Sequence, residues 1–486
     1  MREKERKMRK NILFIFADQW RGDCLGCAGH PDVLTPNLDA LAQDGVLFRG
    51  ACAAAPSCIP ARACVATGKT PLHTGFVGYE DGIVWDYPQT MMTRLRAGGY
   101  QTINVGKTHV YPQRAHLGFE INKMYDAGKI EPTFKSDYHQ WLEKASHGQV
   151  TDTANSFDGN SCLYYPWMAE EYLHPTAWNT SIAIECLENR DNTRPFYLQV
   201  TYHRPHPPYD PPRDFFDLYR DEELAPIPYG DWCGKFDVPN RAINGWYGHK
   251  NRRSLDLMRK AYYASISHID YNIGKLITWL KCHGLYQDTL IVFSSDHGEL
   301  LGDHHLYRKI TPFEGAARIP WIVKGDSSCR KGEENRIPVS HFDLLPTFLD
   351  FAGLPIPEDV DGISLMPTMK AGTVPERKLL HGEHAGYGDN GWQFLWDERY
   401  KYIWNTRTGE EYFFDLEHDP QELHNLAGEE DLVSPWRQQL AALLSQRPED
   451  GLTENGHLKP GKILNPVRPD FRENSNRLKK EYGLMK

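Results

Sequence analysis

Short apolar runs rich in β-branched and aromatic residues recur along the chain, separated by stretches of helical spacing. That alternation predicts a mostly parallel sheet with helices on both faces. Four runs stand out, over residues 11–17, 102–105, 196–202 and 289–295. Each predicts a buried strand, and each gives way at once to titratable or polar residues. Asp18 and Gln19 follow the first run, Lys107 and His109 the second, His203 and His206 the third, Asp296 and His297 the fourth. Ligands of open α/β sheets bind outside the carboxyl ends of the strands, so four such clusters point to one site. Between the runs, Thr35-Pro36 reads as the N-cap and first residue of a helix that Gly45 ends. Leu257, Ala261, Ala264, His268, Tyr271 and Leu276 predict a long amphipathic helix over 254–280, with His268 packed or capped rather than a ligand.

The pattern changes after residue 375. A helix over 342–352 and a Pro-rich stretch over 354–367 close a larger first domain spanning 1–375, which holds all four polar clusters. Runs over 392–396, 401–404 and 411–416, with Thr408-Gly409 between the last two, predict an antiparallel meander beside a helix over 435–445. This is a smaller α+β subdomain over 376–450, beginning near Arg377. The extension 451–486 carries Pro and charge with little periodicity, and wraps either this domain or a neighbouring subunit, which leaves a homo-oligomer open. The expected fold class is therefore α/β, a large mostly parallel sheet sandwiched by helices, with an antiparallel sheet near the C-terminus.

Composition narrows the partners. The 55 basic and 65 acidic residues among 486 give a formal net charge of −10, which argues against nucleic acid while leaving room for a local positive pocket. No apolar run reaches the length of a membrane span. Basic Met1–Lys10 followed by apolar 12–17 imitates a secretion signal, but the run is too short and ends in Asp18, so a basic tail and a cytoplasmic protein are expected. The ten cysteines are then reduced thiols, and Cys24-Leu-Gly-Cys27, without a second such pair, is not a metal or redox site.

The segment 55–68 holds the chemistry. Cys58 precedes Pro60, which suits the first turn of a helix and places Cys58 at the positive end of its dipole. Arg62 lies one turn on and can point back. A helix N-terminus with an Arg binds anions and activates a nucleophile, and on these residues alone a buried structural cysteine is equally open.

Here the chain resembles the sulfatase family, within the alkaline-phosphatase-like superfamily. Cys58-Ile59-Pro60-Ala61-Arg62 resembles the Cys-x-Pro-x-Arg motif whose cysteine is oxidised to formylglycine. Ala17-Asp18-Gln19 looks like the first metal motif and Gly106-Lys107-Thr108-His109 like the Gly-Lys-x-His motif. Pro205-His206-Pro207-Pro208 resembles the sulfate-contacting loop, Ser295-Asp296-His297-Gly298 the second metal motif, and Lys309 the substrate lysine. Residues 414–420 with Asn425-Leu426 resemble the terminal subdomain. Gln19 and His297 depart from the Asp and Asn of many relatives, and Ile59 from a small residue.

The resemblance implies a sulfuric ester hydrolase. Cys58, modified by a formylglycine-generating maturase, becomes a hydrated aldehyde; one hydroxyl attacks sulfur and the second expels sulfate by re-forming the aldehyde. Asp18, Gln19, Cys58, Asp296 and His297 would bind a divalent metal, calcium by family analogy, with manganese open because imidazole is a softer ligand. Asp296 would accept the proton of the attacking hydroxyl. Arg62 would hold the diol and the carboxylates. Lys107, His206 and Lys309 would neutralise charge on the sulfate and the leaving oxygen. His206 or Lys309 would be the acid and His109 the base. His203 orients His206 or lines the pocket, and His304 and His305 are loop or wall residues. Tyr164, Tyr165, Trp167, Trp178, Trp232, Trp246 and Tyr247 are candidate stacking surfaces for a sugar, aryl or steroid group. Two other readings stand: a phosphonate monoester or phosphodiester hydrolase on the same scaffold, and a non-catalytic anion-binding relative.

Overall fold

The computed structural model describes residues 10–126, 134–152, 162–241, 245–387 and 390–484; the basic run at the N-terminus lies outside them up to Lys10. One eight-stranded sheet organises the larger part of the chain. Its strands are β1 (Asn11–Asp18), β2 (Val46–Phe48), β3 (Gln101–Gly106), β4 (Ile121–Met124), β5 (Phe196–Pro205), β6 (Thr289–Ser295), β7 (Trp321–Lys324) and β8 (Glu333–Asn335). They lie in the order β8-β2-β7-β6-β1-β5-β3-β4. The central four, β6-β1-β5-β3, pair in parallel and coincide with the four predicted runs. β7 runs antiparallel to β6 and β2, so the sheet is mixed at that side.

Period-two alternation divides the apolar side chains between two cores. Leu13 and Ile15 of β1 face Leu38 and Leu41 of α1 (Pro36–Gln43) and, with Ile291 and Phe293, Leu187 of a helix over Pro175–Glu188 and Ile266, Ile269 and Ile273 of the long helix over Arg252–Cys282. Ile12, Phe14 and Phe16 face the other way, toward Val65 and Ala66 of α2 (Cys58–Thr67) and Leu345 and Phe348 of the helix Leu344–Phe351. The long helix is capped by Asn251, whose side chain accepts from Ser254 N at 2.9 Å. His268 is packed within it and bonds Glu171 at 2.7 Å. At α1 the expected cap differs in detail: Thr35 Oγ1 accepts from Gly26 N instead. Gly45 is required there by crowding, since a Cβ would sit 2.4 Å from the Val323 carbonyl of β7.

The C-terminal sheet has four antiparallel strands in sequence order, β9 (Leu380–Tyr387), β10 (Asn390–Trp396), β11 (Tyr400–Asn405) and β12 (Glu411–Asp415). The hydrophobic pattern predicts the last three and misses β9, whose His and Gly residues carry no strand signal. Gly382 has a packing reason to lack a side chain: a Cβ there would come 2.1 Å from the Phe394 ring of β10. The helix beside this sheet spans Glu430–Leu444 and so starts earlier than expected, with Pro435 inside it. The extension folds back on the same chain. Val467 bridges to Phe76, Ser475 Oγ accepts from Val84 N at 2.9 Å, and Arg472 pairs with Glu80, the last two from a helix over Pro469–Glu481. No helix among the described residues is long and apolar enough to cross a membrane.

Gly106, the last residue of β3, shows how tightly the functional edge is built. Its φ is +107°, and a Cβ would lie 2.0 Å from the Thr201 carbonyl of β5. Gly106→Ala is expected to destabilise by about 2 kcal/mol or more, through both the left-handed backbone and the clash. A lowered urea midpoint checks this, and an unchanged midpoint contradicts it.

Candidate active site

Strand register assembles the site. Pairing of β1 with β6 sets Ala17 opposite Ser295, so Asp18 and Asp296 leave the sheet as neighbours. Gln19 follows with φ +69° and donates its main-chain N–H to Asp296 Oδ1 at 3.0 Å. On the other side of β1, the β5 register brings Pro205 opposite Asp18, and His206 N donates to the Asp18 carbonyl at 3.1 Å. β3 ends beside β5, with Gly106 opposite Thr201, and carries Lys107 to the same edge. Asp18, Gln19, Lys107, His206, Asp296, His297 and Lys309 are all buried.

Above them sits α2, buried at every residue, which begins at Cys58. Ser57, the residue before it, does not cap the helix; its Oγ bonds His384 Nε2 of β9 at 2.8 Å. The positive end of the helix is thus left to the Cys58 side chain. Cys58 Sγ lies 3.2 Å from His297 Nε2, 3.2 Å from Lys309 Nζ and 3.9 Å from Asp18 Oδ1. Arg62, one turn on, points back as the sequence implies. It donates to Asp296 Oδ2 from Nε at 3.1 Å and from a terminal nitrogen at 2.9 Å, to Asp18 Oδ2 at 3.2 Å and to the Lys107 carbonyl at 3.0 Å. Lys107 Nζ adds a 2.5 Å bond to Asp18 Oδ2, and Lys309 Nζ a 2.8 Å bond to Gln19 Oε1.

Burial would raise the Asp18 carboxyl, but Lys107, Arg62 and Lys309 together hold it well below its ordinary range. Burial and the adjacent Asp18 charge push Asp296 upward. Against burial and the Asp18 charge, Lys309 and Lys107 hold the Cys58 sulfur well below an ordinary thiol. Burial and Lys309 push His206 well below its ordinary value, and it is neutral. His109 behaves oppositely: burial and Lys107 oppose its charge, yet hydrogen bonding to Asp81 keeps it above.

The donor set fits a divalent cation. Asp18, Cys58, Asp296 and His297 each offer a ligand atom within 4.8 Å of the others. His297 Nδ1 bonds the Gly298 carbonyl at 2.8 Å, which fixes the proton there and leaves the Nε2 lone pair facing the cluster. Arg62 and Lys107 occupy the Oδ2 atoms of the two carboxylates, on the side away from this lone pair's partners. Gln19 stands beside the group, its amide oxygen bonded to Lys309.

The remaining candidates lie around this centre. His203 packs edge to face on His206, with ring centroids 4.9 Å apart, and its Nδ1 lies 2.8 Å from Arg204, whose guanidinium grips Asp210. Among the aromatics, Trp246 carries the Arg308 guanidinium 4.6 Å over its ring, and Arg308 directly precedes Lys309. Trp178 and Trp232 are packed among other rings, and Tyr164 stacks on Phe216 at 4.4 Å. His304 and His305 bond Gly230 and Asp237, away from the cluster. Four residues that sequence reasoning passes over also matter. Glu299 accepts from Gln19 Nε2 and from Tyr209 at 3.1 Å, His384 holds Ser57, and Asp81 and Asp126 bond His109. Glu299 follows the second metal-like motif directly and could have been found by extending it; the other three carry no signal.

A family model described as Sulfatase matches residues 10–354, and one described as N-sulphoglucosamine sulphohydrolase, C-terminal, matches 302–449. The chain is 38% identical over 473 residues to an arylsulfatase of Clostridium perfringens, covering 93% of this chain and 98% of that one. It is 32% identical to a choline-sulfatase of Rhizobium meliloti, covering 86% of this chain and 82% of the other. Among solved structures, the phosphonate monoester hydrolase of Agrobacterium radiobacter superposes with a TM-score of 0.76 at 26% identity, covering 91% of this chain and 96% of that one. A protein solved with its substrate D-glucosamine-2-N,6-O-disulfate superposes with a TM-score of 0.72 at 22% identity, over 91% and 98% of the two chains, and shares the fold.

The donor geometry predicts that the purified protein carries a stoichiometric divalent ion. Elemental analysis should find it in the wild type and lose most of it in Asp296→Ala and His297→Ala, with folded far-UV spectra retained. Full metal content in both variants would contradict this site.

Proposed function

We propose the finer chemistry from one premise: the chain belongs to the sulfatase family and is a sulfuric ester hydrolase. The family implies a metal and a formylglycine, and Cys58 is placed to become that nucleophile. The observation that carries this reading is the Cys58 side chain at the head of α2, 3.2 Å from both His297 Nε2 and Lys309 Nζ. We assign Asp18, Gln19, Asp296, His297 and the modified Cys58 to a divalent cation, calcium by family analogy, with manganese as the alternative that elemental analysis separates. When bound, that ion supplies polarisation of a sulfate oxygen and a lowered pKa for the attacking hydroxyl. Oxidised by a maturase and hydrated, Cys58 supplies two hydroxyls on one carbon, one to attack sulfur and one to release sulfate.

The other residues have separable tasks. Arg62 keeps two like-charged carboxylates ionisable and in place. Asp296, raised by burial and by Asp18, is suited to take the proton of the attacking hydroxyl. Lys107 and Lys309 meet the charge that builds on the sulfate oxygens. Of the two acid candidates, Lys309 is favoured. His206 is neutral and its Nδ1 bonds the Pro207 carbonyl at 2.8 Å, so its Nε2 carries a lone pair toward the site and no proton to give. His109 is the base that helps sulfate leave. The substrate is a sulfate ester of a sugar, aryl or steroid alcohol.

Likeness to the phosphonate monoester hydrolase, together with Gln19 and His297, keeps that activity as the second reading. The test compares host-matured enzyme on 4-nitrophenyl sulfate and a phenylphosphonate monoester, alongside Cys58→Ala. Preference for the sulfate, lost in a folded Cys58→Ala protein, is expected; preference for the phosphonate moves the assignment to the second reading. Lys309→Ala should lose on the order of 10²-fold in kcat on an alkyl sulfate, and much less on the nitrophenyl ester, whose leaving group needs no acid. Equal losses on both would contradict Lys309 as the acid.

A further inference from the structure

His109 is held by two carboxylates from separate segments. Its backbone adopts φ +56°, in the left-handed region, and its N–H donates to buried Asp126 Oδ2 at 2.7 Å. Its ring Nε2 lies 3.2 Å from Asp81 Oδ1. The other oxygen of Asp81 accepts the Tyr79 hydroxyl at 2.5 Å, and the Tyr79 ring stands edge-on to His109 at 5.9 Å. An ionised carboxylate can only accept, so Nε2 carries the hydrogen. Nδ1 is then the basic nitrogen, and it is buried without a hydrogen-bond partner. The Asp81 loop is itself pinned from both sides. Gly78 bridges Ala385 of β9, where a Cβ would meet the Ala385 carbonyl at 2.0 Å, while the C-terminal helix bonds Glu80 and Val84.

Resting on the reading of Cys58 as formylglycine and His109 as base, we propose that Asp81 is the positioning residue that fixes His109 as its Nε2–H tautomer and so presents Nδ1 as the proton acceptor for sulfate release. In that step a proton passes from the remaining hydroxyl on the Cys58-derived carbon to Nδ1. The O–H pair closes the C=O bond, and sulfate departs with the pair of the breaking C–O bond. Asp81 acts through the imidazole, as the carboxylate of a catalytic triad orients its histidine.

The test uses mature, metal-loaded enzyme labelled with nitrogen-15 histidine, with the His109 ring signals identified by their loss in His109→Gln. Wild type should show the Nε2–H tautomer. Asp81→Asn, whose amide can donate to Nε2, should shift His109 toward Nδ1–H and lower kcat on 4-nitrophenyl sulfate on the order of 10²-fold with KM little changed. Tyr79→Phe, which removes the hydroxyl bonded to Asp81, should move both readouts the same way by less, and decides the matter should Asp81→Asn not fold. An unchanged tautomer, or a loss confined to KM, overturns the inference while leaving the sulfatase reading intact. A wild-type active enzyme whose Cys58 peptide has the mass of an unmodified thiol overturns that reading and this inference with it.

Discussion

Parallel pairing of β1 with β6 forces two carboxylates together, and the rest of the site answers to that constraint. Ala17 opposite Ser295 makes Asp18 and Asp296 neighbours in a fully buried setting, with ligand atoms within 4.8 Å. At that separation and an effective dielectric of about 20, two like charges repel by roughly 3 to 4 kcal/mol. The structure offsets this with Arg62, which spans both carboxylates, and with Lys107 on Asp18. A divalent cation would relieve the same repulsion from the opposite side. The same cations bear on Cys58, because Lys309 and Lys107 lower its thiol against its burial. A site that stabilises this much buried negative charge is prepared for a sulfate group.

The C-terminal part of the chain is structural support for that centre. β9 supplies His384 to Ser57 and its backbone to the Ala54 and Val77 carbonyls, so it forms a floor under the segment that carries Cys58. Lys401 of β11 reaches into the segment after Lys309, bonding Glu314 and the Pro312 carbonyl at 3.0 Å, and also pairs with Glu422. The terminal helix then secures the loop that carries Asp81. These contacts tie the C-terminal part to the segments that carry Cys58, Asp81 and Lys309, which explains why residues far from the site in sequence set its geometry.

Much of this was legible in the residues alone. The central strands announce themselves because parallel strands buried on both faces read as continuous apolar runs, and polar groups at their ends can only be functional or capping. Cys58, Arg62 and Lys309 were legible through their motif settings. β9 was not, because Gly382 makes room for the Phe394 ring and His384 serves a polar contact, which together erase its strand pattern. Asp81 and Asp126 were hidden for a different reason. A single acid in a loop has no periodicity, and only the tertiary fold shows which imidazole it meets. The preference for Lys309 over His206 as acid likewise depends on burial and on the Pro207 carbonyl, neither of which a sequence displays.

The central claim is that Cys58, in this charge cluster, is the precursor of the nucleophile. Its most direct test is the mass of the peptide carrying residue 58, taken from enzyme matured in its own host and counted against the active fraction of the same preparation. The account predicts that the aldehyde replaces the thiol in proportion to activity. Full activity in protein whose Cys58 is wholly thiol would contradict it.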